Sequence, residues 1–389
     1  MRSRVVLAAA TVFAVALVAV PSAVAAKGML VGLYDEPQTF GNPTKAFPLM
    51  RTLRTQVVRV NLYWGSGSGR TGSGLGVAKR RPSNAVNPND KAYDWSLYDR
   101  TVRLAQRYRI KVLFAIYGTP GWANRGSGTN VPPARMTDLR NFAYAAAKRY
   151  SGSFRPPGVD AAYAAPLPAV RMWLAWNEPN NPLFLRKQYR KRNGRWVVQS
   201  AVDYAKICNA VYAGVKTTLL RGEKVGCGVT SPRGNNSPRS SRPSVSPLAF
   251  LRAAKRAGMK RFDAYAHHPY YGSRLETPTS KPKAKTAVGL GNINVLIKEL
   301  TRLYGKKRLW ITEYAYQTNP PDRVFGVSYA KQASYLRQAF AIARKNPRID
   351  MMLWFLLRDQ RALGGWQSGL MTVGGKKKPS FRAFQRLPH

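Results

Sequence analysis

The stretch Val170-Arg-Met-Trp-Leu-Ala-Trp-Asn177-Glu178-Pro179-Asn180 joins an apolar run to a polar turn that carries a carboxylate. The apolar part, 170–176, predicts a buried β-strand. A carboxylate at the end of such a strand is costly to remove from water without a partner. Because the chain contains only six glutamates, the position of Glu178 requires a specific reason.

Similar apolar runs recur along the whole chain and alternate with helical patterns. The predicted strands are Met29–Tyr34, Gln56–Leu62, Ile110–Ile116, Val170–Trp176, Lys224–Val229, Phe262–His267, Arg308–Glu313 and Ile349–Phe355. The predicted helices are Thr44–Thr55, Trp95–Tyr108, Asp138–Tyr150, Ala201–Leu220, Pro247–Ala257, Ile293–Tyr304, Tyr329–Arg344 and Ser380–Arg386. Repeated strand–helix units of this kind favour a parallel sheet.

Eight such units fill residues 27–389 and leave no linker between two domains. A doubly wound open sheet is the alternative, but the Gly-rich phosphate turn typical of its first strand is missing at residues 32–36. We therefore predict an α/β fold with a single catalytic domain, a (β/α)8 TIM barrel.

The first 26 residues have the pattern of a secretory signal peptide. Arg2 and Arg4 precede an apolar run over residues 5–20, and Ala23-Val24-Ala25 forms a small-x-small cleavage site. An uncleaved membrane anchor is the alternative. We predict a secreted, extracellular protein without a membrane span after cleavage.

The charge balance is strongly basic, with 64 Lys and Arg against 17 Asp and Glu. Such a charge favours anionic partners, although a generally basic proteome would produce it too. No pattern typical of a nucleic-acid module accompanies the charge, so we expect no specific nucleic-acid partner. We expect a monomer that binds carbohydrate, with acidic glycans as the better ligands.

The two cysteines, Cys208 and Cys227, lie in a predicted helix and in the strand that follows it. A disulfide is sterically possible in an exported protein, and two buried thiols are equally consistent with the sequence.

A second glutamate follows a strand in Leu309-Trp-Ile-Thr-Glu313. In a barrel, the ends of the fourth and seventh strands face each other across the mouth, where the long loops also lie. Two carboxyl groups about 5–5.5 Å apart are what a retaining glycosidase requires. A structural ion pair would explain either glutamate alone, but it explains both less well.

Together, Asn177-Glu178-Pro179 and Ile311-Thr312-Glu313 make the sequence resemble clan A glycoside hydrolases, most closely family 39, with family 5 next. The resemblance implies that Glu178 is the acid/base and Glu313 the nucleophile. It also implies that Asn177 binds the sugar 2-hydroxyl and that Arg59 keeps the nucleophile ionised.

The pair His267-His268 is followed by Tyr270, and His268 and Tyr270 match a His-x-Tyr pattern of the same clan that lines the sugar site. Paired histidines can also indicate zinc. However, adjacent residues of a strand point to opposite faces, and no spaced third ligand is evident. We therefore expect no metal and no cofactor.

Aromatic side chains near strand ends are candidates for stacking on sugar rings. The resemblance implies that Trp354 forms the platform beneath the catalytic sugar, and Trp122 is a second candidate. Core packing is an equally consistent reading for each of them.

The resulting hypothesis is a retaining β-glycosidase acting on a poly- or oligosaccharide. A sugar-binding barrel that has lost catalysis is the first alternative, and the intact pair of glutamates argues against it. A wall-binding or nucleic-acid-binding protein is the second, and its binding would weaken steeply with salt.

Overall fold

The computed structural model describes residues 28–65, 74–158 and 165–388. The strands within these ranges are β1 (Leu30–Tyr34), β2 (Val57–Tyr63), β3 (Lys111–Tyr117), β4 (Met172–Ala175), β5 (Arg190–Arg192), β6 (Arg195–Val197), β7 (Lys224–Thr230), β8 (Ala264–His267), β9 (Arg308–Tyr314) and β10 (Ile349–Phe355). Eight of them close into a parallel barrel in the order β1-β10-β9-β8-β7-β4-β3-β2. Strands β5 and β6 form a separate antiparallel hairpin.

Helices follow the barrel strands and cover the outside of the sheet. They are α1 (Glu36–Gly41), α2 (Pro43–Thr52), α3 (Ser96–Arg107), α4 (Gly121–Asn124), α5 (Met136–Arg149), α6 (Gln199–Lys216), α7 (Pro247–Arg256), α8 (Ile293–Tyr304), α9 (Tyr329–Lys345) and α10 (Pro379–Gln385). Their apolar stripes and the outer faces of the strands together form the larger of two cores.

The inside of the barrel is a second core, in which the indole of Trp310 is the largest side chain. Gly226 of β7 makes room for it. A Cβ at that position would lie 2.7 Å from Leu174 Cδ2 and 2.8 Å from Trp310 Cε3. The interior is therefore filled by side chains. A functional site is expected instead among the loops at the carboxyl ends of the strands.

The predicted fold class is confirmed, and each of the eight predicted strands is present within one or two residues of its expected bounds. Strand β4, with four residues, is shorter than its predicted range at both ends. Its pairing with β7 begins at Met172, and Trp176 leaves the strand with a φ of 72°.

Three features were not predicted. Helix α1 follows β1 directly, and its first turn is capped by Asp35, which accepts a hydrogen bond from the Gln38 N–H. The short helix α4 and the β5–β6 hairpin lie in segments for which the sequence predicted neither a helix nor a strand. The hairpin turns through Asn193 and Gly194, both with positive φ, as tight hairpin turns require.

The two cysteines form a disulfide that links α6 to β7, with 5.9 Å between the Cα atoms of Cys208 and Cys227. The sequence was consistent with either a disulfide or two buried thiols, and the structure has the disulfide.

The predicted signal peptide lies outside the described residues. In the described ranges, no helix is both long and apolar enough to cross a membrane.

Candidate active site

A cleft of about 1210 Å³ opens at the carboxyl ends of the barrel strands. Both predicted catalytic glutamates line it, together with Asn177 and Tyr270. Its aromatic lining consists of Tyr34, Phe40, Tyr63, Tyr117, Phe184, Tyr270, Tyr271, Phe325, Phe355 and Trp366. A concave site with many ring faces and a few converging polar groups is typical of a sugar-binding cleft.

Glu178 is held in the cleft by a constrained turn after β4. Its φ is 34°, in the left-handed region that non-glycine residues rarely adopt. The neighbouring Asn180 is fully buried and bonds to the loop after β7, accepting from the Ser231 N–H at 2.8 Å and donating to the Val245 carbonyl at 2.9 Å. The surrounding structure thus fixes an unfavourable backbone conformation, as is common at functional sites.

Glu313, the last residue but one of β9, accepts hydrogen bonds on both of its carboxylate oxygens. The guanidinium of Arg59 donates to Oε1 at 2.7 Å, and the Tyr270 hydroxyl donates to Oε2 at 2.9 Å. Arg59 is fully buried, and such a charge requires a partner. Charge-assisted bonds of this kind stabilise the ionised carboxylate.

His268 lies between the two glutamates. Its Nε2 is 3.1 Å from the Arg59 guanidinium, which can only donate, so Nε2 accepts and Nδ1 carries the proton. Nδ1 then donates to Glu178 Oε1 at 3.0 Å. Burial lowers the pKa of His268 to about 3, so the imidazole is neutral. The neighbouring His267 points the other way and bonds to Thr230 and the Val288 carbonyl.

The two carboxylates converge but have different surroundings. One oxygen of Glu178 and one of Glu313 lie within 4.8 Å of each other. Burial raises the pKa of Glu178 to about 7, although Asn181 and Arg59 oppose the shift. Glu313 has the buried cation as its direct partner. The site therefore favours the protonated form of Glu178 and places a buried cation beside Glu313.

Asn177 accepts a hydrogen bond from Arg59 Nη2 at 2.7 Å on its side-chain oxygen. Its amide group faces the cleft and is available as a donor. The same arginine therefore orients both the nucleophile and this donor.

The expectation that no third metal ligand accompanies the histidines is wrong for His268. Ligand atoms of Glu178, His268 and Glu313 lie within 4.8 Å of one another, so the fold does supply a third candidate ligand. However, the guanidinium of Arg59 already contacts both Glu313 and His268 Nε2. A divalent cation there would face a buried positive charge a few ångströms away, which disfavours binding.

The two predicted tryptophans lie outside the cleft. Trp354 is fully buried, and its indole N–H donates to the Ser368 carbonyl at 2.9 Å. Trp122 is half-buried under the guanidinium of Arg81, which is 4.8 Å from its ring centroid. Because side chains alternate along a strand, Phe355 rather than Trp354 faces the opening, and Trp366 from the following loop packs against it.

Two of the cleft residues that were not among the sequence-based candidates are Asn61 and Glu36. Asn61 follows Arg59 by two positions on β2 and so shares its face, a signal that was present in the sequence. Glu36 lies just past β1, and its Oε2 accepts hydrogen bonds from Tyr63 at 2.9 Å and Tyr34 at 3.3 Å. Burial raises the pKa of Glu36 to about 7. The scarcity of acidic residues could have drawn attention to it.

No protein-family model matches this sequence. No curated protein is significantly similar to it.

Solved structures, by contrast, match over almost the whole chain. A family 39 glycoside hydrolase from Bacteroides cellulosilyticus WH2 matches with a TM-score of 0.60, 19% identity and 91% of this chain covered. The GH39 enzyme from Xanthomonas axonopodis pv. citri matches with a TM-score of 0.54 and 19% identity, with 92% of this chain covered. A glucosidase from Croceicoccus marinus matches with a TM-score of 0.62 and 14% identity, with 92% of this chain covered.

The chain shares its fold with family 39 glycoside hydrolases. The resemblance predicted from the strand-end motifs is confirmed at this level. The chain spans only 62% to 66% of the length of these three proteins. The likeness therefore concerns the barrel, and activity has to be argued from the site.

Proposed function

We propose that this protein is a secreted, monomeric, retaining β-glycosidase that hydrolyses O-glycosidic bonds of a poly- or oligosaccharide. The observation that carries the proposal is the convergence of Glu178 and Glu313, whose nearest carboxylate oxygens lie within 4.8 Å. Retaining glycosidases have carboxyl groups about 5–5.5 Å apart, whereas inverting ones need about 6.5–9.5 Å to admit a water molecule.

In the first step, a Glu313 carboxylate oxygen attacks the anomeric carbon while the bond to the leaving oxygen breaks. Glu178 gives its proton to that oxygen, so the leaving group departs as a neutral alcohol. Arg59 and Tyr270 hold the Glu313 carboxylate in place through hydrogen bonds to its two oxygens. The amide of Asn177 is positioned to donate to the 2-hydroxyl, a contact that strengthens in the transition state.

In the second step, Glu178, now ionised, takes a proton from a water molecule. The resulting hydroxide attacks the anomeric carbon, and Glu313 leaves as a carboxylate. Two inversions give net retention. The hydrogen bond from neutral His268 to Glu178 at 3.0 Å stabilises the ionised form that this step requires.

Two observations support secretion. The amino-terminal segment has the pattern of a signal peptide. The disulfide between Cys208 and Cys227 is typical of proteins that fold in oxidising compartments. Expression of the full chain in a secreting host, followed by amino-terminal sequencing of the extracellular protein, tests processing near residue 26.

The test of catalysis uses nitrophenyl β-xyloside and β-glucoside with three proteins. We expect turnover by the wild type, and loss by about 10⁴-fold or more in Glu313→Ala, because the nucleophile is absent. Glu178→Ala should hydrolyse a dinitrophenyl glycoside, whose leaving group needs no proton, and added azide should accelerate it. The azide adduct should have the β configuration.

An α-configured first product from the wild type would contradict retention. A wild type that binds glycans without turning over any β-glycoside would instead support a non-catalytic carbohydrate- or anionic-polymer-binding barrel.

A further inference from the structure

The two walls of the cleft differ in charge. The wall at the ends of β1 and β2 carries the carboxylate of Glu36, which hydrogen-bonds to Tyr63 and Tyr34. The opposite wall is the loop after β7, which lines the cleft with Ser231, Pro232, Arg233, Gly234, Asn235, Arg242 and Ser244. This loop, 231–244, contains no acidic residue.

The loop after β7 lies on the side of Glu178. Asn180, two residues after Glu178, donates to the Ser231 carbonyl at 3.2 Å and to the Arg233 carbonyl at 3.4 Å. Since Glu178 protonates the leaving oxygen, this wall borders the leaving group under the proposed function. The Glu36 wall then borders the glycone.

Both arginines of this wall are exposed, and their guanidinium groups have no ion pair or hydrogen bond within the described part of the chain. The carboxylate of Glu276 lies near Arg233, since both flank Gly272. Its oxygens are already engaged by the backbone N–H of Gly272 at 2.6 Å and by that of Lys283 at 3.4 Å. The charge of Arg233 also acts on Glu178 and opposes the rise in the pKa of that carboxyl. Two planar cations without an ion pair in a cleft are suited to carboxylate, sulfate or phosphate groups.

Resting on the proposed function, we propose that the site accepts an uncharged sugar as glycone and an anionic sugar residue as leaving group, with Arg233 and Arg242 as the specificity-determining residues. The Glu36 side of the cleft is lined without any lysine or arginine and so offers an acidic glycone no cation, whereas the arginine wall attracts an acidic leaving group.

The basic surface continues beyond this wall. The Tyr189 hydroxyl donates to the Ser244 carbonyl at 3.4 Å, which joins the cleft to the β5–β6 hairpin. The hairpin register places Arg192 directly opposite Arg195. Like charges at directly opposite positions destabilise a sheet, and a bound anion would relieve this repulsion. An anionic polymer leaving the cleft on this side would therefore meet further cations.

The test compares aryl glycosides that share an uncharged glycone, glucose or xylose, whichever is turned over. The leaving groups are 4-carboxyphenyl, 4-sulfophenyl and the uncharged 4-carbamoylphenyl. At low salt we expect the wild type to prefer the charged leaving groups about fivefold to tenfold in kcat/KM. A preference for both charged leaving groups would indicate that the wall recognises anions in general. A preference for only one would identify carboxylate or sulfonate as the recognised group. A 4-carbamoylphenyl glucuronide should be hydrolysed more slowly than the glucoside.

The double variant Arg233→Ala/Arg242→Ala should reduce the preference to about one, and 0.5 M salt should weaken it in the wild type. Arg221→Ala, an exposed arginine at the opposite end of β7, is the control for net charge and should keep the preference. An equal rate for charged and uncharged leaving groups, or a preference unchanged in the double variant, overturns the proposal.

Calorimetric Kd values for the same compounds separate this inference from the proposed function. If no glycoside is turned over, the catalytic proposal fails. A fivefold to tenfold tighter Kd for the anionic compounds that is lost in the double variant would still establish the anionic subsite. Equal Kd values would remove it.

Discussion

At the residue scale, Arg59 is the side chain on which the site depends most. It donates to Glu313, to Asn177 and to His268, at distances of 2.7, 2.7 and 3.1 Å. A single buried cation thus contacts the Glu313 carboxylate, orients the Asn177 amide and sets the tautomer of the histidine beside Glu178.

The raised pKa of Glu178 predicts the alkaline side of the pH profile. Burial raises this pKa to about 7, and the protonated form is the active acid. As pH rises through about 7 the proton is lost, so kcat/KM should fall about tenfold per pH unit above it. The measurement is a pH–rate profile with a nitrophenyl glycoside. With a dinitrophenyl glycoside the decline should disappear, and a decline shared by both substrates would contradict the assignment.

Replacing Arg59 should impair catalysis and stability together. Arg59→Met leaves the carboxylate of Glu313 buried without its cation, which costs about 3–5 kcal/mol in unfolding free energy. We expect kcat/KM to fall about 100-fold or more at temperatures where the variant stays folded. Arg59→Lys keeps the positive charge but cannot donate to Glu313 and Asn177 from two separate nitrogens, so it should recover only part of the activity. Unchanged kcat/KM in Arg59→Met would refute this role.

At the element scale, the loops are tied to one another by buried polar groups. Asn180 joins the loop after β4 to the loop after β7. Asp35, at the end of β1, accepts hydrogen bonds from the backbone of Leu357 and Arg358 after β10. These contacts satisfy backbone groups that the barrel leaves unpaired and fix the cleft walls relative to each other.

The run Lys376-Lys377-Lys378 has the composition of a solvated turn, but its last member is buried. Lys378 caps α10 and is buried, and its ammonium donates to Asp359 and to Thr318, both at 2.8 Å. It anchors the loop between β10 and α10, which carries Trp366 into the cleft. Nothing in the sequence separates this lysine from its exposed neighbours.

Lys378→Met should therefore destabilise the protein by about 3–5 kcal/mol, because Asp359 would remain buried without a cation. Lys378→Met/Asp359→Asn should recover part of the loss, since the amide keeps the hydrogen bond from the Gly369 N–H. Lys377→Met, at an exposed position, is the control and should change stability by less than about 0.5 kcal/mol. Chemical denaturation measures all three, and equal stability of Lys378→Met and Lys377→Met would disprove the anchoring role.

At the scale of the whole molecule, closure of the barrel brings distant residues together. Arg59 and Glu313 are 254 positions apart in the chain, and Glu178 and His268 are 90 apart. Parallel strands in a closed ring present all their carboxyl ends at one mouth, so the site exists only when all eight strands are in place.

The barrel interior should therefore control global stability. Trp310→Ala removes the largest side chain of the inner core and should lower the unfolding free energy by about 3–5 kcal/mol. Trp196→Ala, in the exposed hairpin, is the matched control and should have an effect below about 0.5 kcal/mol. Thermal and denaturant unfolding measure both, and similar effects of the two changes would contradict a packed interior.

Local sequence patterns were sufficient to predict the strand count, the barrel and the position of two glutamates at strand ends, because these depend on neighbouring residues in the chain. Apolar runs of strand length recur between helical patterns, and Glu178 and Glu313 stand directly at strand ends. The partnership of Arg59 with Glu313 was an implication of the family resemblance, and the structure has this contact at 2.7 Å.

Long-range packing sets which aromatic side chains line the cleft, which lysine is buried and where the cationic wall lies. Whether Trp354 or Phe355 faces the opening depends on the register of β10, and the places of Trp366, Arg233 and Lys378 depend on how irregular loops return over the barrel. Those positions are set by long-range packing and hydrogen bonds, which no local pattern of residues encodes.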